Sequence, residues 1–275
     1  MRSFIPLFLG ASTLVLAGPA FAQERDWTGP YVGISAGLDL QGSDRDAPIA
    51  FDTNRDGSFG DTVRTRPGLD AFGPGFCGGR AVSATSTGCK QDSDRLGYAG
   101  HVGYDVQLGN IVIGAVGEFG KSNISDAASA YSVTPARYAF TRQMDWNAAG
   151  RLRAGYATGN TLPYITGGAA LVRVNRGFET SNAANSFTLD DAKRNAWGYT
   201  AGGGVEQRVA DNFSIGVLYT YTNVKDESPT VAVGPGSAPL TTNPFLLVNP
   251  AGTDMRRTDN RFDWHSARVT ASLRF

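Results

Sequence analysis

The 275-residue sequence lacks any apolar run long enough to cross a membrane as a helix: beyond its first 22 residues, no stretch of 18 or more apolar residues occurs. Multi-span helical architectures are excluded on that ground. A charge bias is also missing, with 25 basic side chains balanced by 25 acidic ones, so nothing in the net charge supports a nucleic-acid partner. Two cysteines and two histidines are too few for a cysteine-rich scaffold or a histidine-built metal centre. Lysine is scarce too: Lys90, Lys121, Lys193 and Lys225 are the only four. The remaining basic residues are arginines, whose planar fork suits paired, partly desolvated charges. What the chain has in quantity is glycine, 35 residues of it.

Residues 1–22 read as an export signal. Arg2 supplies a positive start, Phe4 to Leu16 a short apolar core, and Ala20-Phe21-Ala22 the small residues a signal peptidase checks. The apolar part is shorter than a spanning helix requires, and Gly18 and Pro19 interrupt it. Residues 23–275 then form one exported domain, either soluble or inserted in a membrane as strands.

Period-two alternation recurs eight times. From Tyr31 to Leu40, Val32, Ile34, Ala36, Leu38 and Leu40 alternate with Tyr31, Gly33, Ser35, Gly37 and Asp39. The same two-faced pattern marks 96–108, 111–120, 145–156, 162–174, 197–209 and 213–221. The last instance, through Ala267, Val269, Ala271 and Leu273, ends at Phe275. In the fifth segment the facing is ambiguous, with Ile165, Ala169 and Leu171 set against Tyr164, Thr166 and Gly168. Each apolar face is free of charge, while the opposite faces collect Gly, Ser, Thr, Arg, Asp and Glu. Eight such strands, each of bilayer-crossing length, predict an all-β, eight-stranded antiparallel transmembrane up-and-down barrel with its polar face inside.

The connections fit that arrangement. Gly109-Asn110, 157–161 and 210–212 are short, whereas roughly 41–94, 121–144, 175–195 and 222–260 are long and polar. Short turns on the periplasmic side and long external loops are the rule for outer-membrane barrels. Trp27, Tyr31, Tyr104, Trp146, Tyr156, Trp197, Phe213, Tyr219, Trp264 and Phe275 fall near strand ends or outward positions, as an interfacial girdle requires. An eight-stranded barrel is narrow enough for side chains to fill it. Inside, Arg95, Arg151, Arg153, Arg208 and Arg268 are expected to face Asp105, Glu118, Asp145 and Glu206, because unpaired charges in such a lumen are costly. A plug of ion pairs centred on Glu118, Arg151, Arg153, Glu206 and Arg268 is the consequence. Outer-membrane lipids and lipopolysaccharide are the expected surroundings of such a barrel.

Several segments resemble the small porin-like outer-membrane barrels of alphaproteobacteria, the Omp25/Omp31 type. They are Trp27-Thr28-Gly29-Pro30-Tyr31-Val32-Gly33, Arg151-Leu152-Arg153-Ala154-Gly155-Tyr156, Tyr164-Ile165-Thr166-Gly167-Gly168-Ala169-Ala170, Gly202-Gly203-Gly204-Val205-Glu206, Tyr219-Thr220-Tyr221 and the terminal Phe275, in that order. The resemblance implies an outer-membrane location and a structural, surface-exposed role with at most narrow permeability to small solutes. It implies the outer-membrane assembly machinery as a partner, with Phe275 in its recognition signal. It also implies an OmpA-like barrel without a peptidoglycan-binding domain after it. The chain departs from the family at Leu218, where an acidic residue often precedes the Tyr-x-Tyr.

The alternative function is ligand binding or adhesion to a host surface through the long loops. Haem uptake has precedent among similar family members and would use exposed Tyr131 and Tyr138. In the first loop, Cys77 and Cys89 are expected to form one disulfide, given an exported chain. Asp52-Thr53-Asn54-Arg55-Asp56-Gly57 has the start of a calcium loop but carries Val63 at its twelfth position, so a plain polar loop is the better reading. The fourth loop holds the apolar stretch Phe245-Leu246-Leu247-Val248, which either folds over the rim or binds something outside. Neither His101 nor His265 lies in a Ser-His motif, so no catalytic residues, cofactor or metal ligands are assigned.

Overall fold

In the computed structural model, the described residues are 26–42, 49–72, 76–85, 89–90, 92 and 94–275. The proposed signal segment lies outside them. In chain order the strands are β1 (Gly29–Leu40), β2 (Ile49–Asp52), β3 (Phe76–Gly78), β4 (Arg80–Ala81), β5 (Cys89–Lys90), β6 (Arg95–Leu108), β7 (Ile111–Ser122) and β8 (Ser125–Ser132). The second half contributes β9 (Ala136–Tyr156), β10 (Thr161–Thr180), β11 (Ser186–Leu189), β12 (Lys193–Arg208), β13 (Phe213–Lys225), β14 (Val231–Gly234), β15 (Thr253–Arg257) and β16 (Arg261–Arg274).

Eight of these close into a ring of antiparallel neighbours, β1-β6-β7-β9-β10-β12-β13-β16, with β16 pairing back to β1. Closure leaves no unpaired edge, which is what allows strands to sit in a bilayer. Alternation decides the faces. Ile34, Leu96, Val102, Leu152, Ile165, Val217 and Val269 point outward, from 58% to 73% exposed. Ser35, Asp39, Asp105, Glu118, Arg151 and Arg153 lie buried inside. β10 resolves its own ambiguity, since Tyr164 and Thr166 face the lumen and Ile165 is 70% exposed.

The three short turns stand at one end. Gly109 adopts φ 63°, which lets a two-residue turn join Leu108 to its cross-strand partner Ile111. At the other end the strands run much further than their alternation predicts. β9 begins at Ala136 and β10 ends at Thr180, so they project as a ribbon. A bulge explains the misreading. Arg173 pairs with Trp146 but Val174 pairs with Met144, leaving Asp145 as the extra residue. Inward positions on β9 are therefore 138, 140, 142 and 144 above the bulge and 147, 149, 151 and 153 below it. A one-residue slip exchanges the faces, and Asp145 accordingly is not the lumen partner that the sequence assigns it to be.

Beyond the rim, the long connections fold together. β8 pairs with β9 and takes β3 on its other side. Segments from the first, third and fourth loops form a separate four-stranded sheet, β11-β14-β15-β2. Ile49, Phe51, Phe72, Tyr138, Phe140, Val231, Val233, Phe245 and Met255 are buried in a common apolar core beneath it. Phe245 and Leu246 belong to this core, while Val248 is exposed. The loops thus form a packed cap.

Candidate functional site

The interior of the barrel is layered, and β10 passes through the layers in sequence. Near the turn end, Leu162 packs with Trp27, Val112 and Ala157. Tyr164 and Thr166 then reach a layer of charges. Ala170, Val172 and Val174 join Ile124, Met144, Ala196, Val224, Phe262 and Trp264 in a second apolar layer. Arg176 enters a second charged layer, and Phe178 packs against the core of the cap.

The lower charged layer consists of Arg151, Arg153, Arg268 and Arg274 with Asp39, Asp105, Glu118 and Glu206, four charges of each sign. Arg153 donates to Asp105 and, at 2.9 Å, to Glu206. Arg274 bridges the same two carboxylates at 2.8 and 3.4 Å. Arg151 donates to Glu118 at 2.9 Å, and Arg268 spans Glu118 and Asp39. Ser214 donates to Glu206 and Ser266 to Asp39. The guanidinium of Arg153 is stacked 4.8 Å from Tyr31 and 4.9 Å from Tyr164, and that of Arg274 lies 5.1 Å from Trp27. Such forked, charge-assisted bonds are strong when both partners are buried.

Glycines on the inward faces make room for these groups. A Cβ at Gly114 would stand 1.9 Å from Asp105 Oδ1, and one at Gly103 would enter the ring of Tyr31. The space left over is a cavity of about 30 Å³ bordered by His101, Glu118, Arg151 and Glu206, enough for a water or two.

The upper charged layer ties the external loops to the rim. Arg142 reaches Asp126, Asp226 and Asp259; Arg257 reaches Asp126 and Asp259; Arg176 reaches Asp226 and Asp191. Burial would raise the Asp126 carboxyl, but the guanidinium groups of Arg257 and Arg142 outweigh it and hold it below the ordinary carboxylate range.

A closed eight-stranded ring, apolar outside and ion-paired inside, agrees with the sequence relationships. The outer membrane protein beta-barrel domain family matches residues 8–275. The chain belongs to that family. It is 30% identical over 200 residues to a 31 kDa outer-membrane immunogenic protein of Brucella melitensis, covering 72% of this chain and 71% of that protein. A 22 kDa outer membrane protein of Rhizobium leguminosarum is 33% identical over 138 residues, covering 50% of this chain and 57% of the relative. Among solved structures, the outer membrane protein OprG of Pseudomonas aeruginosa is similar at 11% identity and a TM-score of 0.48, spanning 92% of this chain and 98% of that one. The protein is an outer-membrane β-barrel of the Omp25/Omp31 type. Its turn end is periplasmic and its cap external.

Of the lumen residues expected in this outer-membrane barrel, Asp105, Glu118, Arg151, Arg153, Glu206 and Arg268 come together. Arg95 does not, because it stands exposed at the external end of β6. Arg208 lies at the periplasmic end, 4.5 Å from the ring of Trp27. Asp39 and Arg274 complete the cluster, and both occupy inward positions of the alternation. Leu218, the departure from the family pattern, is buried beside the small cavity, and the carboxylates of Asp105 and Glu206 serve the arginines without it.

His101 lies 2.9 Å from Ser272 Oγ, a pairing across 171 residues that no local motif reveals. His265 faces outward and bonds Tyr219 through Nδ1. The two haem candidates are both buried: Tyr131 packs with Cys77 and Ala81, and the Tyr138 hydroxyl accepts from Asn182. Neither offers an exposed phenolate, and burial pushes the Tyr138 hydroxyl further above its ordinary range. In the 52–57 loop, Asp52 accepts the backbone N–H groups of Arg55, Asp56 and Gly57, so its oxygens serve the turn. Cys77 is buried, and the backbone pairs Ala81 with Cys89; the Cys89 side chain lies outside the described residues. Phe275 is exposed on the outer face, its amide bonded to the Pro30 carbonyl.

Proposed function

We propose that this protein is a closed structural barrel of the outer membrane that displays a rigid external cap and conducts no solute. The observation that carries the reading is the stacking of two apolar layers on either side of the lower ion-pair layer. Trp27, Val112 and Leu162 close the periplasmic side; Ile124, Val172, Val174, Val224, Phe262 and Trp264 close the external side; all are at most 1% exposed. An ion entering either layer would shed its hydration among tightly packed apolar side chains. The test is planar-bilayer recording of barrel whose folding is verified by a heat-dependent shift in gel mobility. A silent membrane is expected. Reproducible unitary steps would overturn the closed reading.

The barrel also has no catalytic role in this reading. The His101–Ser272 pair is enclosed beside a cavity too small for a substrate. Its expected partners are the outer-membrane assembly machinery, with Phe275 on the outward face of the last strand, and the lipids around the barrel. Cys77 and Cys89 pair as a disulfide that pins the first loop, a state that the exported setting favours. Mass spectrometry of unreduced tryptic peptides, with the 77 and 89 segments recovered as one linked species, tests this directly.

A second reading rests on a cleft of about 400 Å³ at the tip of the cap, between Phe72, Tyr138, Asn182, Asn243 and Phe245. Its walls carry no charged side chain, so an uncharged small molecule is the class it suits. Binding of a neutral fluorescent probe that is lost on Phe245→Ala would support it.

A further inference from the structure

The distribution of the cations is uneven in a way that the closed barrel does not require. Arginines fill the lumen and the upper charged layer, whereas three of the four lysines, Lys121, Lys193 and Lys225, stand exposed at external ends of barrel strands. Strand register places them on the outward face. Lys121 is opposite Tyr98, and Lys225 is opposite Trp197 on one side and Arg261 on the other. Arg173, on the same face of β10, lies between Trp146 and Asn195.

Below this edge the outward positions include Tyr98, Phe119, Leu171, Tyr199 and Tyr219, while Asn223 and Asp263, opposite one another on β13 and β16, are polar positions one step below Lys225 and Arg261. The periplasmic edge has no counterpart. Among the described residues, the basic side chains there, Arg208 and Arg274, are buried inside, and the exposed charges are Asp26 and Asp211. Lys225 and Arg261 pose the sharpest question. Like charges directly opposite on one face of a sheet repel. Lys225 has a carboxylate 3.3 Å away on exposed Glu227. Among the described residues, no carboxylate lies within ion-pair distance of Arg261, Lys193 or Lys121.

We propose that this external edge binds phosphate groups on glycolipid headgroups of the outer leaflet, with Lys225 and Arg261 clasping one phosphate beside Trp197. The inference rests on the outer-membrane placement of the barrel. An anion between the two cations turns their repulsion into a shared attraction. Lysine suits the position because its flexible stem lies along apolar surface while its strongly hydrated ammonium reaches the headgroup level. Exposed cations at the external edge of the barrel, with none at its periplasmic edge among the described residues, match a leaflet whose headgroups are multiply phosphorylated.

The test uses folded barrel in neutral detergent, titrated with bisphosphorylated lipid A or its dephosphorylated form and read by native mass spectrometry. The parent is expected to prefer the phosphorylated lipid, and Lys225→Gln/Arg261→Gln to bind it about thirtyfold more weakly, from the contribution of two cations near an anionic lipid surface. Binding of the dephosphorylated lipid should not change. Inorganic phosphate at millimolar concentration should leave lipid binding intact; full competition by it would assign the site to free phosphate instead. Equal binding of both lipids by the parent, or unchanged affinity in the double variant, would overturn the proposal. Heat-shifted gel mobility separates either result from a failure to fold.

Discussion

Replacing Asp105 by Asn puts the dry, ion-paired lumen to a quantitative test. Asp105 is fully buried and accepts from both Arg153 and Arg274. The amide keeps the shape and one acceptor but removes the charge. Four guanidinium groups then face three carboxylates, and Arg153 and Arg274 must share Glu206, which already bonds both. Removing one partner from a buried ion pair costs about 3–5 kcal/mol, against a total stability of about 5–15 kcal/mol. Urea unfolding from phosphatidylcholine vesicles, followed by the fluorescence of buried Trp27 and Trp264, measures the loss. Adding Arg274→Gln restores the charge balance, so the double variant should lose less than the sum of the two single changes. A single-variant loss below about 1 kcal/mol, the range of solvent-exposed pairs, would mean that water screens the lumen. The closed reading would fall with it.

Three further outcomes follow from the same packing. Gly114→Ala forces a methyl group onto Asp105 Oδ1 and within 2.7 Å of the Tyr104 carbonyl, and should destabilise the barrel by about 1–3 kcal/mol in the same urea titration. Trp264→Ala removes the largest side chain of the external apolar layer; a loss of about 3–5 kcal/mol is expected, with ion leakage in planar bilayers where the parent is silent. The cap should depend on pH through Asp126. Its folded pKa lies below the unfolded value, so its contribution is complete above the ordinary carboxylate range and is lost as pH falls through the depressed folded value. Proteolysis of the loops should therefore be unchanged between pH 7 and pH 5 and quicken only in stronger acid, whereas Asp126→Asn should make them labile at neutral pH.

The barrel itself was legible because one physical rule, alternation against a lipid face, repeats in every strand. Ile34 against Ser35 and Leu152 against Arg151 suffice to orient their strands. The rule stops working at Asp145, where a single extra residue reverses the phase and makes Ala136–Met144 look like loop. The external strands fail to show for a related reason. Phe51 is distant in sequence from Val231 and Met255, and only the fold shows that they share a core. Lumen partners divide in the same way. Glu118 and Arg151 sit on diagonal inward positions of the neighbouring strands β7 and β9 and could be paired from the pattern, whereas Arg95 has the right parity but stands too near the rim to be enclosed. The contact of His101 with Ser272 joins strands at opposite ends of the chain and has no local signal.

The cap sheet joins residues 49–52, 186–189, 231–234 and 253–257, so neighbouring points on the outer surface come from distant parts of the chain. An antibody footprint there would straddle several loops at once. Peptides copied from any one loop would carry only a fraction of it, and binders selected on such peptides should recognise the denatured chain better than the assembled surface.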